Sequence, residues 1–400
     1  MPQLAIPPLA LYLHFPWCVR KCPYCDFNSY TLHGELAEER YVQTLEQDIE
    51  QQSTEVTGRE IISVFLGGGT PSLFSPAAIA RVLDAARKYL RLAPDVEVTM
   101  EANPGTIEHG RFAEYRAAGI NRVSLGAQTF DARRLETLGR IHSPAETRRA
   151  AQELHTAGIE NFNLDLMYAL PGQDVAAALQ DVEAAIALLP THLSHYQLTL
   201  EPGTVFAAQP PDLPEDDVAA AILSACAERL SEAGFAQYEV SAYARQGRQC
   251  RHNFNYWTFG DYLGAGAGAH GKLTFPGAGE VVRTMHARDP RRYIASIPGG
   301  PTRARVPVEE LPFEFMLNAL RLVEGLEVST FTQRTGIGWE AVASRVEDLV
   351  RRQLLVMDDL RLRPSASGLR FLNDVLLSFL PAPAPKIPQT TGGFGLSMAV

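Results

Sequence analysis

Cys18, Cys22 and Cys25 stand in the segment HFPWCVRKCPYCDF, residues 14–27, with C-x3-C-x2-C spacing directly after an apolar run from Leu9 to Leu13. Soft thiolate ligands match iron, and a loop this short wraps one face of a four-iron cubane. Three cysteines on four irons leave one iron without a protein ligand. An open position of that kind can take an exogenous chelate. A zinc knuckle is the competing use of clustered cysteines, but zinc takes four ligands and no fourth Cys or His follows at finger spacing. Three of the five cysteines fall within eight residues, which favours a cluster over chance.

Further chemistry-bearing residues recur along the chain. Gly67-Gly68-Gly69-Thr70-Pro71 is a glycine turn that lets backbone approach a ligand without Cβ clashes. Glu101 stands in EANPG, Gln128 in SLGAQT and Arg140 in LGRIH, each suited to polar contact with a charged ligand. Asp165 lies inside the apolar FNLDLM, and a buried acid is costly unless bonded, so a partner is expected. Cys250-Arg251-His252-Asn253-Phe254-Asn255-Tyr256-Trp257 places a thiol, an imidazole and three aromatics within eight residues. Heme iron takes His or thiolate axially, and flat aromatics cover a macrocycle; a polar cap with packed aromatics would use the same residues. Gly264–Gly271 (GAGAGAHG) reads either as a close backbone approach to a ligand or as a tight bend, with His270 near its end.

These residues need elements to position them. Apolar runs at Ala10–Phe15, Ile61–Leu66, Val96–Glu101, Arg122–Ala127, Phe162–Met167 and His195–Leu200 read as strands. Helical spacing fills Ala37–Gln52, Pro76–Leu90, Ala145–Gly158 and Val175–Leu188, and Gly119, Gly158 and Gly234 fall where helices end. Alternating strands and helices predict an α/β fold with a parallel sheet. About six repeats predict an open, partial (β/α)6 TIM-like barrel, whose chemistry belongs at the C-terminal strand ends. The motifs named above up to Asp165 all fall on such ends.

The expected organisation is a barrel over 1–245, then a Gly/aromatic-rich segment over 246–305 carrying the HNxxYW text. A helical, winged-helix-like domain follows over 306–380, built from Phe313–Leu322, Val328–Thr335, Trp339–Arg351, Gly368–Phe379 and a hairpin around Asp358-Asp359. The remainder, 381–400, is Pro/Gly/Thr-rich and expected to be disordered. With 46% hydrophobic and 20% charged residues, the composition is that of a globular protein. A formal charge of −10 disfavours a general nucleic-acid binder, because phosphate binding needs a basic field. There is no basic n-region of a signal peptide and no run of the ~18 apolar residues that a span needs. The few cysteines make no disulfide framework, so a cytoplasmic location is expected.

The cysteine spacing, with an aromatic before the third cysteine, resembles the radical S-adenosylmethionine (SAM) superfamily. The resemblance implies that the free iron binds the amino and carboxylate groups of SAM, that reduction cleaves SAM to a 5′-deoxyadenosyl radical, and that Tyr24 lines the adenine pocket. Nearly the whole chain resembles the oxygen-independent coproporphyrinogen III oxidase family and its relatives. By motif, the implied cofactor contacts are Tyr12, Gly69, Thr70, Glu101, Gln128, Arg140, Asp165 and Gln197. Two departures separate this chain from the true oxidases. They carry a further cysteine two residues after the third ligand, where this chain has Phe27, and they have an N-terminal arm for which Cys18 leaves no room.

HNxxYW at 252–257 is the text by which the heme chaperone (HemW) subfamily is recognised, and HFPWCVRKCPYCDFNS, GGGTPS, EANPGT and NLDLM also fit it. That resemblance implies a cytoplasmic chaperone that binds a [4Fe–4S] cluster, SAM and heme and passes heme to acceptor proteins. His252 is the leading axial ligand, Cys250 the second, and His270 a further candidate. The alternative is oxidative decarboxylation of coproporphyrinogen III in porphyrin biosynthesis; a radical SAM enzyme acting on another substrate, such as RNA, is a third reading. Whether the cluster does chemistry is left open. Heme-accepting proteins, with membrane respiratory enzymes as one class, are the implied partners, and a homodimer is one open state of assembly. No nucleic-acid partner is expected.

Overall fold

The computed structural model describes residues 4–106, 111–297 and 299–381, and the expected disordered tail from 382 lies outside the described residues. The first strands are β1 (Leu9–Phe15), the short β2 (Trp17–Cys18) and β3 (Tyr30–Thr31), β4 (Glu60–Gly68), β5 (Arg91–Ala102), β6 (Arg122–Gln128), β7 (Phe162–Tyr168) and β8 (His192–Gln197). They are followed by β9 (Ala236–Glu239), β10 (Ala242–Ala244), β11 (Asp261–Ala265), β12 (His270–Phe275), β13 (Glu280–Met285) and β14 (Thr302–Arg305). One sheet has the order β14-β13-β12-β11-β1-β4-β5-β6-β7-β8-β10-β9. Neighbours from β11 through β1 to β8 are parallel, and antiparallel strands extend both ends. The expected six-strand parallel core, β1 and β4 to β8, is therefore present. Its two outer strands, β14 and β9, are not paired with each other, so the barrel is open.

Residues 246–305 do not stand apart from this sheet. β11 pairs with β1 in parallel, and β12, β13 and β14 follow as a meander. Gly264 and Gly271 lie in these short strands, and Gly266 and Gly268 in the turn between β11 and β12.

Helices cover one face of the sheet. Pro76–Tyr89 starts at Ser75, whose side chain accepts from the Ala78 amide, and Pro144–Thr156 starts with a capping box between Ser143 and Glu146. Leu11, Leu13, Val64, Leu66, Val98, Met100, Val123, Leu125, Leu164 and Leu193 point into this helix-covered core. Period 2 then sends the intervening residues to the other face. Those are Tyr12, Ser63, Phe65, Glu97, Thr99, Glu101, Arg122, Ser124, Asn163, Asp165, His192, Ser194 and Tyr196. The concave interior of the barrel is thus polar and aromatic, which is the setting a bound cofactor needs.

A second core gathers Phe315, Phe331, Val342, Val346, Leu349 and Phe379 with Phe259 from the turn before β11. It belongs to the C-terminal unit, in which β15 (Leu326–Glu327), β16 (Leu355–Asp358) and β17 (Arg361–Pro364) form a small sheet in the order β15-β17-β16. Helices Leu311–Ala319, Val328–Thr335 and Glu340–Arg351 accompany it in the expected winged-helix-like arrangement, and the expected helix Gly368–Phe379 is instead two short ones, Ala366–Arg370 and Leu372–Leu377. Among the described residues no helix is long and apolar enough to cross a membrane.

Candidate cluster and cofactor site

The cysteine loop leaves β1 at its C-terminal end and returns at β3. Its own backbone closes it: the Tyr30 amide donates to the Pro16 carbonyl at 2.7 Å and the Leu32 amide to Cys18 at 2.8 Å. Asn28 ties it to the far end of the sheet. The Asn28 side-chain amide donates to the carbonyls of Ala267 and Arg288, at 2.9 and 3.0 Å. His14 braces it from below, with Nε2 2.9 Å from the Asn28 carbonyl.

Cys18, Cys22 and Cys25 are free and half-buried. Each sulfur has a polar neighbour from the protein. Thr70 Oγ1 donates to Cys18 at 3.5 Å, Arg140 Nη1 to Cys22 at 3.8 Å, and Ser29 Oγ lies 3.8 Å from Cys25. Burial pushes the Cys18 and Cys25 thiols up, and the hydroxyls of Thr70 and Ser29 oppose that shift. Among the described residues no three Cys, His, Asp or Glu side chains converge as the ligands of a single ion do. By residue type and spacing, the three thiols of this loop are the set that would hold the corners of a cluster.

Gly67 and Gly68 end β4 against this loop, and Gly69 follows. Gly68 has φ +109°, and a Cβ there would overlap the His14 imidazole. A Cβ on Gly69 would stand 2.6 Å from the Trp17 carbonyl oxygen. The glycine run is therefore required by the protein's own packing around the cysteine loop.

Around the mouth, Glu101 Oε2 accepts the Gly68 amide at 3.0 Å. Burial and the nearby Asp165 carboxylate push the Glu101 carboxyl up to about 7. Asp165 is not bare: it accepts from Ser124 Oγ and from Asn163 Nδ2, each at 2.8 Å. Arg140 Nη2 is held by the Gly126 carbonyl at 2.9 Å, while its Nε is buried with no hydrogen-bond partner among the described residues. A buried donor without an acceptor suits the carboxylate of an arriving ligand. Gln128 has φ +65°, and its Oε1 accepts from the Tyr196 hydroxyl at 2.8 Å. Tyr24 packs near Phe206, with ring centroids 6.3 Å apart. These residues line one basin at the C-terminal strand ends.

Tyr12 lies one layer deeper. Its ring stacks on Phe65 and its hydroxyl lies 3.0 Å from His14 Nδ1. Gln197 is not brought to the basin. It is exposed and follows Tyr196 on β8, so period 2 turns it to the opposite face, and Tyr196 takes the place the sequence reading gave it. Tyr196, His14 and Ser29 were missed. The legible signal was a polar residue at every second position of otherwise apolar strands, which marks one face of β8 as interior.

The HNxxYW text forms the helix Arg251–Trp257, and it plugs the barrel floor. Glu97 of β5 accepts from the amides of Arg251 and His252, at 3.2 and 3.3 Å, and from the Cys250 thiol at 3.7 Å. His252 is 1% exposed. Its Nδ1 lies 3.1 Å from Ser63 Oγ, its Nε2 2.8 Å from the Tyr256 hydroxyl, and its ring stacks on Phe65 at 4.9 Å. Burial, with Arg122 nearby, lowers its pKa to about 3, so it is neutral. His270 stands elsewhere, exposed at the start of β12.

Comparison with known proteins follows the same outline. Residues 12–185 match the model of the radical SAM superfamily, and 306–371 match that of the HemN C-terminal domain. The chain is 46% identical over 383 residues to the heme chaperone HemW of Escherichia coli (strain K12), covering 94% of this chain and 100% of that relative. It is 44% identical to the heme chaperone HemW of Haemophilus influenzae, covering 95% and 99%. To the mitochondrial radical S-adenosyl methionine domain-containing protein 1 of Bos taurus it is 37% identical, covering 93% and 87%. The solved structure of coproporphyrinogen III oxidase (HemN) from Escherichia coli superposes with a TM-score of 0.79 over 94% of this chain and 90% of that one; at 22% identity this likeness speaks to the fold alone.

Proposed function

The chain belongs to the HemW family of radical SAM proteins, and on that premise we propose that it binds heme beside a [4Fe–4S] cluster and SAM, and hands the heme to acceptor proteins. One observation favours this over porphyrinogen oxidation. Phe27, 41% exposed, stands beside the cysteine loop where the oxidases carry their further cysteine. A redox-active, ligand-capable sulfur is replaced there by an apolar surface of the kind a porphyrin face covers.

The residues present fit the cluster and SAM. When bound, the cluster supplies an iron with an open position and one-electron chemistry. Thr70, Arg140 and Ser29 provide the donors that favour sulfur in its thiolate form. Arg140, through its unpartnered Nε, is suited to orient a carboxylate. Glu101, raised to about 7, is shared between its acid and carboxylate forms near neutral pH, and an arriving cation favours the carboxylate. The Tyr196–Gln128 hydrogen bond fixes the far wall. The capacity for cluster and SAM does not by itself require turnover, since the same basin serves a cofactor that regulates heme exchange.

The test is a pair of assays on anaerobically purified full-length protein. Hemin titration followed by absorption should show saturable binding and transfer to an apo-acceptor. Incubation with SAM, a reductant and coproporphyrinogen III should give no protoporphyrinogen at enzymatic rates. Turnover without stable heme binding would replace the chaperone reading by the oxidase.

A further inference from the structure

We infer that the axial ligand of the heme is His270, and that His252 is a positioning residue acting from beneath; the inference rests on the heme-binding reading above and deepens it. An axial histidine must offer a ring nitrogen to iron in the space a porphyrin can enter. His252 does neither. Both of its nitrogens are engaged, by Ser63 and by Tyr256, and its ring is sealed between Phe65, Tyr12 and its own helix. Cys250 is equally closed. It is 1% exposed and its thiol, pushed up to about 12 by burial, faces Glu97. The thiolate is the form that binds iron, and this one stays protonated.

His270 meets the requirements that those two fail. It is exposed, and its ring makes no side-chain hydrogen bond among the described residues. Partial enclosure, with the Arg283 and Arg288 guanidiniums nearby, holds its pKa below the usual value, which favours the neutral imidazole that coordinates iron. Its strand pairs His270 with Met285 and Lys272 with Arg283, so these four share a face. Arg283 donates to the Tyr262 hydroxyl at 2.7 Å, and Tyr262 packs edge-on against Tyr256 at 4.5 Å. The face that carries His270 is therefore the concave one, continuous with the floor plugged by the HNxxYW helix.

The surroundings suit an iron porphyrin. Half-buried Met285 and Tyr262 offer apolar wall on that face. Arg288 stands between His270 and the cysteine loop, giving its Nε–H to Asn28 Oδ1 at 3.2 Å. Its remaining guanidinium donors suit a propionate carboxylate. His252 reaches this face only through contacts. It fixes Tyr256, which packs on Tyr262, and its ring lies tilted to that of Tyr12, with centroids 6.3 Å apart. Loss of His252 would thus loosen the floor of the heme site without removing the iron ligand.

The experiment is hemin titration of full-length protein, wild type against His270→Ala and His252→Ala, with and without added imidazole. Circular dichroism and iron–sulfur content check that each variant is folded. His270→Ala should weaken hemin roughly tenfold or more, about 1.4 kcal/mol, and move the Soret band, and imidazole should restore the band. His252→Ala should keep the wild-type Soret position, with imidazole having no effect on it, even where affinity falls. If His270→Ala leaves affinity and Soret position unchanged, the assignment is overturned. It is also overturned if His252→Ala is the variant whose band moves and is rescued by imidazole. Should His252→Ala fail to fold, the His270→Ala comparison decides alone. Failure of the wild type to bind hemin would instead defeat the heme-binding reading itself.

Discussion

The Tyr12 hydroxyl lies 3.0 Å from Nδ1 of His14, and Nε2 of the same ring lies 2.9 Å from the Asn28 carbonyl. One imidazole therefore joins the barrel floor to the cysteine loop. Burial lowers its pKa to about 4, so it bridges as a neutral ring with one donor and one acceptor. Replacing it by Ala leaves the Tyr12 hydroxyl and the Asn28 carbonyl short of a partner, at roughly 1–3 kcal/mol for each group left buried and unsatisfied. His14→Ala is expected to lower both the melting temperature and the iron and sulfide retained after anaerobic reconstitution. Full iron content in a destabilised variant would show that the bridge supports the fold but not the loop.

Gly68→Ala is expected to act on the same bridge from the other side. The residue combines φ +109° with a Cβ position already filled by the His14 ring. Backbone strain alone costs of order 1–3 kcal/mol. Thermal unfolding should therefore show a loss at least as large as that of His14→Ala. The double variant should lose less than the sum, because removing the ring also removes the clash.

Arg140→Ala should weaken SAM. Removing one partner of a buried, hydrogen-bonded charge pair costs roughly 3–5 kcal/mol, and here the unpartnered Nε is the donor left for a carboxylate. Arg140→Lys should not recover the affinity, since an ammonium cannot hold Gly126, Cys22 and a ligand in one plane. Equilibrium binding of SAM to cluster-loaded protein measures this, and equal affinity in both variants would remove Arg140 from the site.

The Glu101 carboxyl, raised to about 7, makes two pH effects of opposite sign. Its neighbours in the basin are Asp165, Tyr12 and Tyr196, none of them cationic in this set. The folded protein holds a proton that the unfolded chain releases near the ordinary value of 4.5, so this group's contribution to stability falls as pH rises from there toward 7. Affinity for the SAM cation should instead rise across pH 6–8, as the carboxylate forms. Glu101→Gln should flatten both profiles, which denaturant melts and SAM titrations at several pH values would reveal.

The site at the strand ends was readable because its signals are local. C-x3-C-x2-C is one loop, and Gly67–Thr70 stands at the end of one strand. Burial of His252 was not readable, because the contacts that bury it are distant in sequence. Ser63 lies 189 residues away from it and Glu97 155. Composition offered an imidazole among aromatics, which suits a heme pocket and a packed plug alike. The Gln197 side chain is exposed and Tyr196 faces the interior, because in a strand one residue is a change of face. The strands of 261–305 were hidden by their brevity and glycines, although DYLGA supplies the neighbour with which β1 pairs.

The clamp on the cysteine loop also sets a timetable for assembly. Asn28 is synthesised early, yet one carbonyl that holds it belongs to Arg288, 260 residues later. At about 5–20 residues per second, roughly 13–50 s separate the two during translation. Until residue 265 is made β1 lacks its β11 neighbour, and until residue 288 the cysteine loop lacks this part of its latch. Ribosome-stalled chains ending before residue 266 should consequently retain no cluster, whereas chains extending past β14 should accept one.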